Sequence, residues 1–329
     1  MGSSMSSKMR HRKSSRRREA SQSSSEKQQQ SFSTGGDSST ISSTNGSGST
    51  STKTRFFHNV ANSSYWFPND EEEMDRLISQ HFAIKSLFNG NIVDKAFPLL
   101  PTPFKDGAKV LDVGCGNGTW CLDVATEYPE IDCIGIDMCD VFPKQIRPPN
   151  VRFEIANVLD GLPYPDNTFD FVSVRIMLVS LEAHQWPMLW KEVMRVLKPG
   201  GLAQSVEAGM LLEGTPLVNK AGKAFIHMME QKNQDPFILS KMDKIMEECG
   251  YKIIHYEIKD INLSRKDPIS QEFASDVVHI FAAVQNVIGK ELNISDEEYP
   301  QFLEDLRKGM TEKPDAMWSH GVCLGQKPH

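Results

Sequence analysis

The stretch from Lys109 to Trp120, KVLDVGCGNGTW, restricts the possible folds of this chain more than any other. An apolar run ends on the carboxylate of Asp112, a turn carrying Gly114, Gly116 and Gly118 follows, and Thr119 to Ala125 continues as the first turns of a helix. Strand, glycine turn and helix together form a corner of the kind that binds nucleotides. Glycine lets backbone N–H groups approach a ligand with no Cβ in the way, and the helix N-terminus adds a partial positive charge. A dinucleotide fingerprint has the spacing G-x-G-x-x-G. Here the spacing is G-x-G-x-G, with Thr119 where the third glycine would stand. Asp112 also precedes the turn, where a pyrophosphate gains nothing from a carboxylate but a ligand carrying a positive amine does.

Downstream, strand and helix patterns alternate, as a doubly wound α/β sheet requires. The expected strands are residues 108–113, 131–137, 151–156, 171–174 and 202–207. Helices are expected over 119–128 and 183–197. Asp137 closes the second strand about 25 residues past Asp112, close to the spacing of an acid that holds a ribose. In open α/β sheets ligands bind beyond the carboxyl ends of the strands, so Arg175, Ile176 and Met177 should face the reacting centre. Beyond Glu207 the pattern predicts helices at 215–232, 237–249, 270–290 and 296–309. It also predicts a strand at 251–258 and a last strand over 317–328.

The string D-V-G-C-G-N-G-T resembles the first motif of class I S-adenosylmethionine (SAM) methyltransferases. Leu162 to Asp170 matches the family's loop into the fourth strand, with Asp166 a turn residue, and Leu197 to Gly201 matches the turn before the fifth. Tyr65-x-x-Pro68-Asn69-Asp70 through Gln80-His81 resembles the N-terminal helix of the fungal LaeA-like (UMTA-like) group, as does the ending G-Q-K-P. The resemblance covers about 65 to 207. It implies a Rossmann-like seven-stranded sheet whose last two strands pair as an antiparallel edge, with a helical cap from an insertion at about 260–314. It implies SAM as cofactor and a methyl acceptor as substrate. The implied cofactor residues are Asp112 beside the methionine amine, Gly114, Cys115, Gly116 and Gly118 in the turn, Asp137 on the ribose, and Met138, Asn157 and Val158 by the adenine, with Arg175 at the fourth strand's exit. Asn157 departs from the acidic residue usual there, although its amide oxygen can still accept from the adenine amine.

Methyl transfer needs a base only when the acceptor must lose a proton. No residue identifies itself as that base; Arg175, His184, Glu207 and Tyr65 are candidates by topology, and His81 reads as a satisfied, partly buried histidine. No carboxylate cluster suggests a metal. The six cysteines form no CxxC pair and read as reduced packing residues. Two alternatives are a SAM-binding regulator in a nuclear complex, with little turnover, and a dehydrogenase, against which the position of Thr119 argues.

Charge divides the chain. Residues 1–55 carry ten Lys and Arg against three acids, a net +7, and the remainder carries −14. An acidic body is a poor electrostatic partner for nucleic acid. Three segments are expected: a Ser-rich basic tail over 1–55 that is disordered by composition, an N-terminal helical part over 56–107, and the methyltransferase domain over 108–329. With no secretory core after the basic start, the protein is expected to be intracellular, nuclear or cytoplasmic. The cluster from Arg10 to Arg18 fits an import signal or an anionic membrane patch, and Gly2 with Ser6 fits an N-myristoylation pattern.

Overall fold

The computed structural model describes residues 55–57, 64–313 and 316–329. The tail, with Gly2 and the Arg10–Arg18 cluster, lies outside the described residues. Helix α1, Glu71–Phe88, begins where Asp70 accepts from the backbone N–H of Glu73 and ends at Asn89 in the left-handed conformation. Three glutamates occupy its first turn, where the helix dipole favours them.

The sheet follows as β1 (Lys109–Val113), β2 (Asp132–Asp137), β3 (Val151–Ile155), β4 (Phe169–Arg175), β5 (Leu197–Ala208), β6 (Lys252–Asn262) and β7 (Met317–Gln326). Its order is β3-β2-β1-β4-β5-β7-β6. The first five strands run parallel, and β7 inserts antiparallel between β5 and β6. Strands covered on both faces are buried along their length, as β1 is from Val110 to Val113 and β4 from Phe169 to Val174. The order reverses between β1 and β4, which opens a crevice beyond their carboxyl ends.

The helices are α2 (Thr119–Glu127), α3 (Trp186–Val196), α4 (Pro216–Gln231), α5 (Met242–Glu248), α6 (Pro268–Ala283), α7 (Gln285–Leu292) and α8 (Tyr299–Thr311). Among the described residues, none is long and apolar enough to cross a membrane.

Several boundaries differ from the sequence expectation. Strand β5 starts at Leu197 rather than Leu202, because Leu197 already pairs with Phe169 and the ladder resumes at Phe171 and Leu202 across a bulge. Gly200, at φ +76°, absorbs the extra residues. The helix expected over 270–290 is two, broken at Val284 (φ −107°, ψ 20°), with Phe281 buried before the break and Ile288 after it. The segment expected as a helix over 237–249 is a 3-10 turn, Ile238–Lys241, followed by α5. Strand β6 runs four residues past Ile258, because β7 pairs with it as far as Asn262.

A buried ion cluster ties α1 to α6. Arg76 donates to Glu73 at 2.6 Å and to Asp276 at 2.8 Å, and Gln80 donates to the other oxygen of Asp276 at 2.8 Å. The helix that precedes the sheet is thereby joined to one that interrupts its last hairpin.

Candidate functional site

One cavity of about 260 Å³ opens at the crevice between β1 and β4. Its wall includes Gly114, Cys115 and Gly116 after β1, Asp137 and Met138 at β2, and Asn157 and Val158 after β3. Arg175, Ile176 and Met177 border it at the exit of β4. Tyr65 and His81 also border it, so the segment before the sheet supplies part of the wall.

In the glycine corner the three glycines have different neighbours. A Cβ on Gly114 would stand 2.4 Å from Met177 Sδ, and one on Gly118 2.4 Å from Phe153 Cζ. Gly118 therefore packs the start of α2 against β3 and does not line the cavity. At Gly116 (φ +53°) a Cβ would meet no protein atom within 4 Å, so its backbone borders open space. That is the cradle expected of a backbone that contacts a ligand directly.

Asp137 braces this corner from β2. Its Oδ2 accepts from Gly116 N at 2.8 Å and its Oδ1 from Cys139 N at 2.9 Å. Asn157 caps the 3-10 turn Val158–Asp160: its Oδ1 accepts from Leu159 N at 3.1 Å and its Nδ2 donates to Asp160 at 3.1 Å. An amide can accept and donate in this way where a carboxylate would face Asp160 with like charge.

Asp112, expected beside the methionine amine, is buried and is not among the residues that line the cavity. The β pleat turns it with Val110 toward α2, where Cys121 Sγ donates to it at 3.7 Å, while Leu111 and Val113 face the other core. Burial pushes its pKa up to about 6 against the lowering effect of Arg175.

Of the four candidate bases, Arg175 and Tyr65 line the cavity, and His184 and Glu207 do not. His184 is exposed on the 3-10 turn before α3, 3.6 Å from Glu182. Burial, then Glu73, raises the Tyr65 phenol well above its usual range, so it remains protonated.

Glu207 lies behind the wall on β5, accepting from Met177 N at 2.9 Å and Leu178 N at 3.2 Å. It thereby holds the turn after β4, in which Ile176 adopts φ +51°. A β-branched residue in that region costs on the order of 1–3 kcal/mol and persists only where its surroundings hold it. Burial raises the Glu207 pKa to about 8. Because this folded-state value exceeds the unfolded one, the stabilisation from its proton is complete below about pH 4.5 and disappears as pH rises through about 8. The unfolding midpoint of wild type should therefore fall relative to that of Glu207→Gln between pH 5 and 8. Scanning calorimetry across that range checks it, and a difference that does not change with pH would rule out this role.

His81, a satisfied histidine as expected, occupies the wall with both ring nitrogens committed. Its Nε2 is 3.0 Å from Asp123 Oδ2 and its Nδ1 3.2 Å from the Arg175 guanidinium. Arginine is always a donor, so Nδ1 accepts and Nε2–H donates to Asp123. Burial, then Arg175, lowers its pKa to about 4. With no lone pair left, His81 is no base. Residues 42 apart along the chain build this contact, and no local pattern signals it.

The other end of the cavity is apolar. Phe67, Phe225, Val277, Ile280, Phe281 and Trp318 face it, from the segment before α1 and from α4, α6 and β7. Among the described residues no three metal-binding side chains gather.

Comparison with known proteins agrees with this geometry. Residues 110–201 match a family model described as a methyltransferase domain. The chain is 32% identical over 153 residues to the secondary metabolism regulator laeA of Coprinopsis cinerea, covering 46% of this chain and 38% of that one. It is 29% identical over 269 residues to the methyltransferase str2 of Strobilurus tenacellus, covering 78% and 91%. It is 27% identical over 282 residues to the N-methyltransferase verN of Clonostachys rogersoniana, covering 82% and 94%. The match thus spans about two fifths of the Coprinopsis regulator and nearly the whole of the two methyltransferases. Motif, sheet order and relatives together make the chain similar to the class I SAM-dependent methyltransferases, with proteins of the LaeA-like group among its relatives, and support SAM as its cofactor.

Proposed function

We propose that the protein transfers the methyl group of SAM to an apolar small molecule held in the aromatic end of the cavity. The observation that carries this reading is the cavity's two-sided wall: the glycine corner at one end, and Phe67, Phe225, Phe281 and Trp318 at the other. SAM supplies an activated methyl on a sulfonium, so the chain's task is to bind, align and exclude water. Gly114, Cys115 and Gly116 bring the backbone to the cofactor, Asp137 accepts from the ribose, and Met138, Asn157 and Val158 flank the adenine. Met177, packed on Gly114, and Ile176 border the reacting centre. With His81 committed and Tyr65 protonated, the wall favours an acceptor that is nucleophilic without a protein base.

The test uses labelled SAM with a cell extract divided into organic-soluble, aqueous and protein fractions. Label is expected in the organic-soluble fraction; label in protein alone would refute the assignment. A second reading, a SAM-binding regulator with little turnover, is favoured by the name of the Coprinopsis relative. It predicts SAM binding with no label in any fraction, and a partner protein recovered with the full chain.

The ribose contact has its own test. Charge-assisted hydrogen bonds contribute about 1.5–3 kcal/mol, so Asp137→Asn should weaken S-adenosylhomocysteine about tenfold to a hundredfold. Calorimetric titration should also show less discrimination against its 2′-deoxy analogue. A wild-type preference for the natural ribose would remove Asp137 from that role.

A further inference from the structure

Two arginines line the cavity, and they differ in one respect. Arg76 is paired with two carboxylates. Arg175 has no carboxylate within 4 Å among the described residues, and its guanidinium makes a single hydrogen bond, to the neutral ring of His81 at 3.2 Å. A guanidinium has five N–H donors. Enclosing an unpaired charge is unfavourable unless something compensates it. An arginine in a cavity wall with most of its donors unused is a receptor for an anion, and its fork matches a carboxylate.

The mounting of that fork is specific. Asp123 on α2 is held by Lys85 at 2.7 Å and Asn91 at 2.7 Å, and it takes the Nε2–H of His81 at 3.0 Å. This fixes the tautomer that presents a lone pair at Nδ1, which orients Arg175. The low pKa of His81, about 4, keeps that lone pair available at neutral pH. Residues from α1, α2 and β4 thus converge on one guanidinium.

Position decides which carboxylate. Val113 is in register with Val174, so Arg175 stands beside Gly114, at the glycine corner. The carboxylates that act on it most, after burial, are Asp112 and Asp123, both on that side. The aromatic residues of α4, α6 and β7 form the other end. We propose that Arg175 binds the carboxylate of the methionine half of SAM, and that His81, seated on Asp123, is the positioning residue for it. This rests on the SAM reading above.

The experiment compares two probes, S-adenosylhomocysteine and 5′-methylthioadenosine, which share the nucleoside and thioether but differ in the amino-acid group. Wild type is expected to bind the first more tightly. Arg175→Met should weaken S-adenosylhomocysteine at least tenfold and leave methylthioadenosine within about twofold, which also shows that the variant is folded. His81→Leu should lose part of the same preference, and His81→Asn, whose amide oxygen stands near the position of Nδ1, should recover it. If Arg175→Met does not fold, Arg175→Lys, which keeps the charge and loses the fork, carries the comparison. Unchanged S-adenosylhomocysteine affinity, or equal loss of both probes in a cooperatively unfolding variant, would overturn the proposal. Wild type that binds neither probe would instead overturn the SAM reading and this proposal with it.

Discussion

Replacing Arg76 with Ala is expected to lower the unfolding free energy by about 3–5 kcal/mol, the usual consequence of removing one partner from a buried ion cluster. Arg76 is 8% exposed, Glu73 1% and Asp276 4%. The guanidinium also lies over the Phe67 ring, 5.6 Å from its centroid. Without it, two carboxylates would face each other in the seam between α1 and α6, with the Gln80 amide the remaining side-chain donor to Asp276. Burial already raises the Glu73 pKa against the lowering effect of Arg76, so in the variant Glu73 should take up a proton on folding. Urea denaturation should therefore show Arg76→Ala recovering stability as pH falls toward 5. Combining Arg76→Met with Glu73→Gln and Asp276→Asn should restore most of the loss, because the uncompensated charges are then gone. A single variant within 1 kcal/mol of wild type would mean that the cluster is not what joins these helices.

The second large effect is on binding. Gly116→Val is expected to weaken S-adenosylhomocysteine at least a hundredfold while reducing stability by only about 1–3 kcal/mol, the cost of a β-branched residue in the left-handed region. The two effects separate because of where the side chain goes. At Gly116 an added Cβ meets no protein atom within 4 Å, so it enters the space left for a ligand. At Gly114 the same change would collide with Met177 and at Gly118 with Phe153, so those variants disturb the fold first. Gly116→Ala should fall between wild type and valine. Calorimetric titration of folded protein measures this, and affinity within fivefold of wild type would remove Gly116 from the contact.

What the sequence alone determined about this protein is what short-range chemistry controls. The cap at Asp70 and the stop at Asn89 depend only on a few consecutive residues. The strand, glycine turn and helix from Lys109 to Glu127 are equally local, and apolar runs alternating with helical spacing imply a doubly wound sheet. That was enough to locate the glycine corner that borders the cavity, with Asp137 and Met138 at the end of β2. Tertiary structure decided everything that depends on which face a side chain takes or which distant residue it meets. The pleat turned Asp112 toward α2 and out of the wall. Pairing between β5 and the turn after β4 made Glu207 a brace for Met177 and Leu178. The break at Val284 also escaped the sequence, since helical spacing continues through it. Arg76 meets Asp276 200 residues away, and His81 joins Asp123 to Arg175 across three elements. Such contacts follow from the packing of whole elements, because a side chain's partners are set by the surface brought against it rather than by its neighbours along the chain.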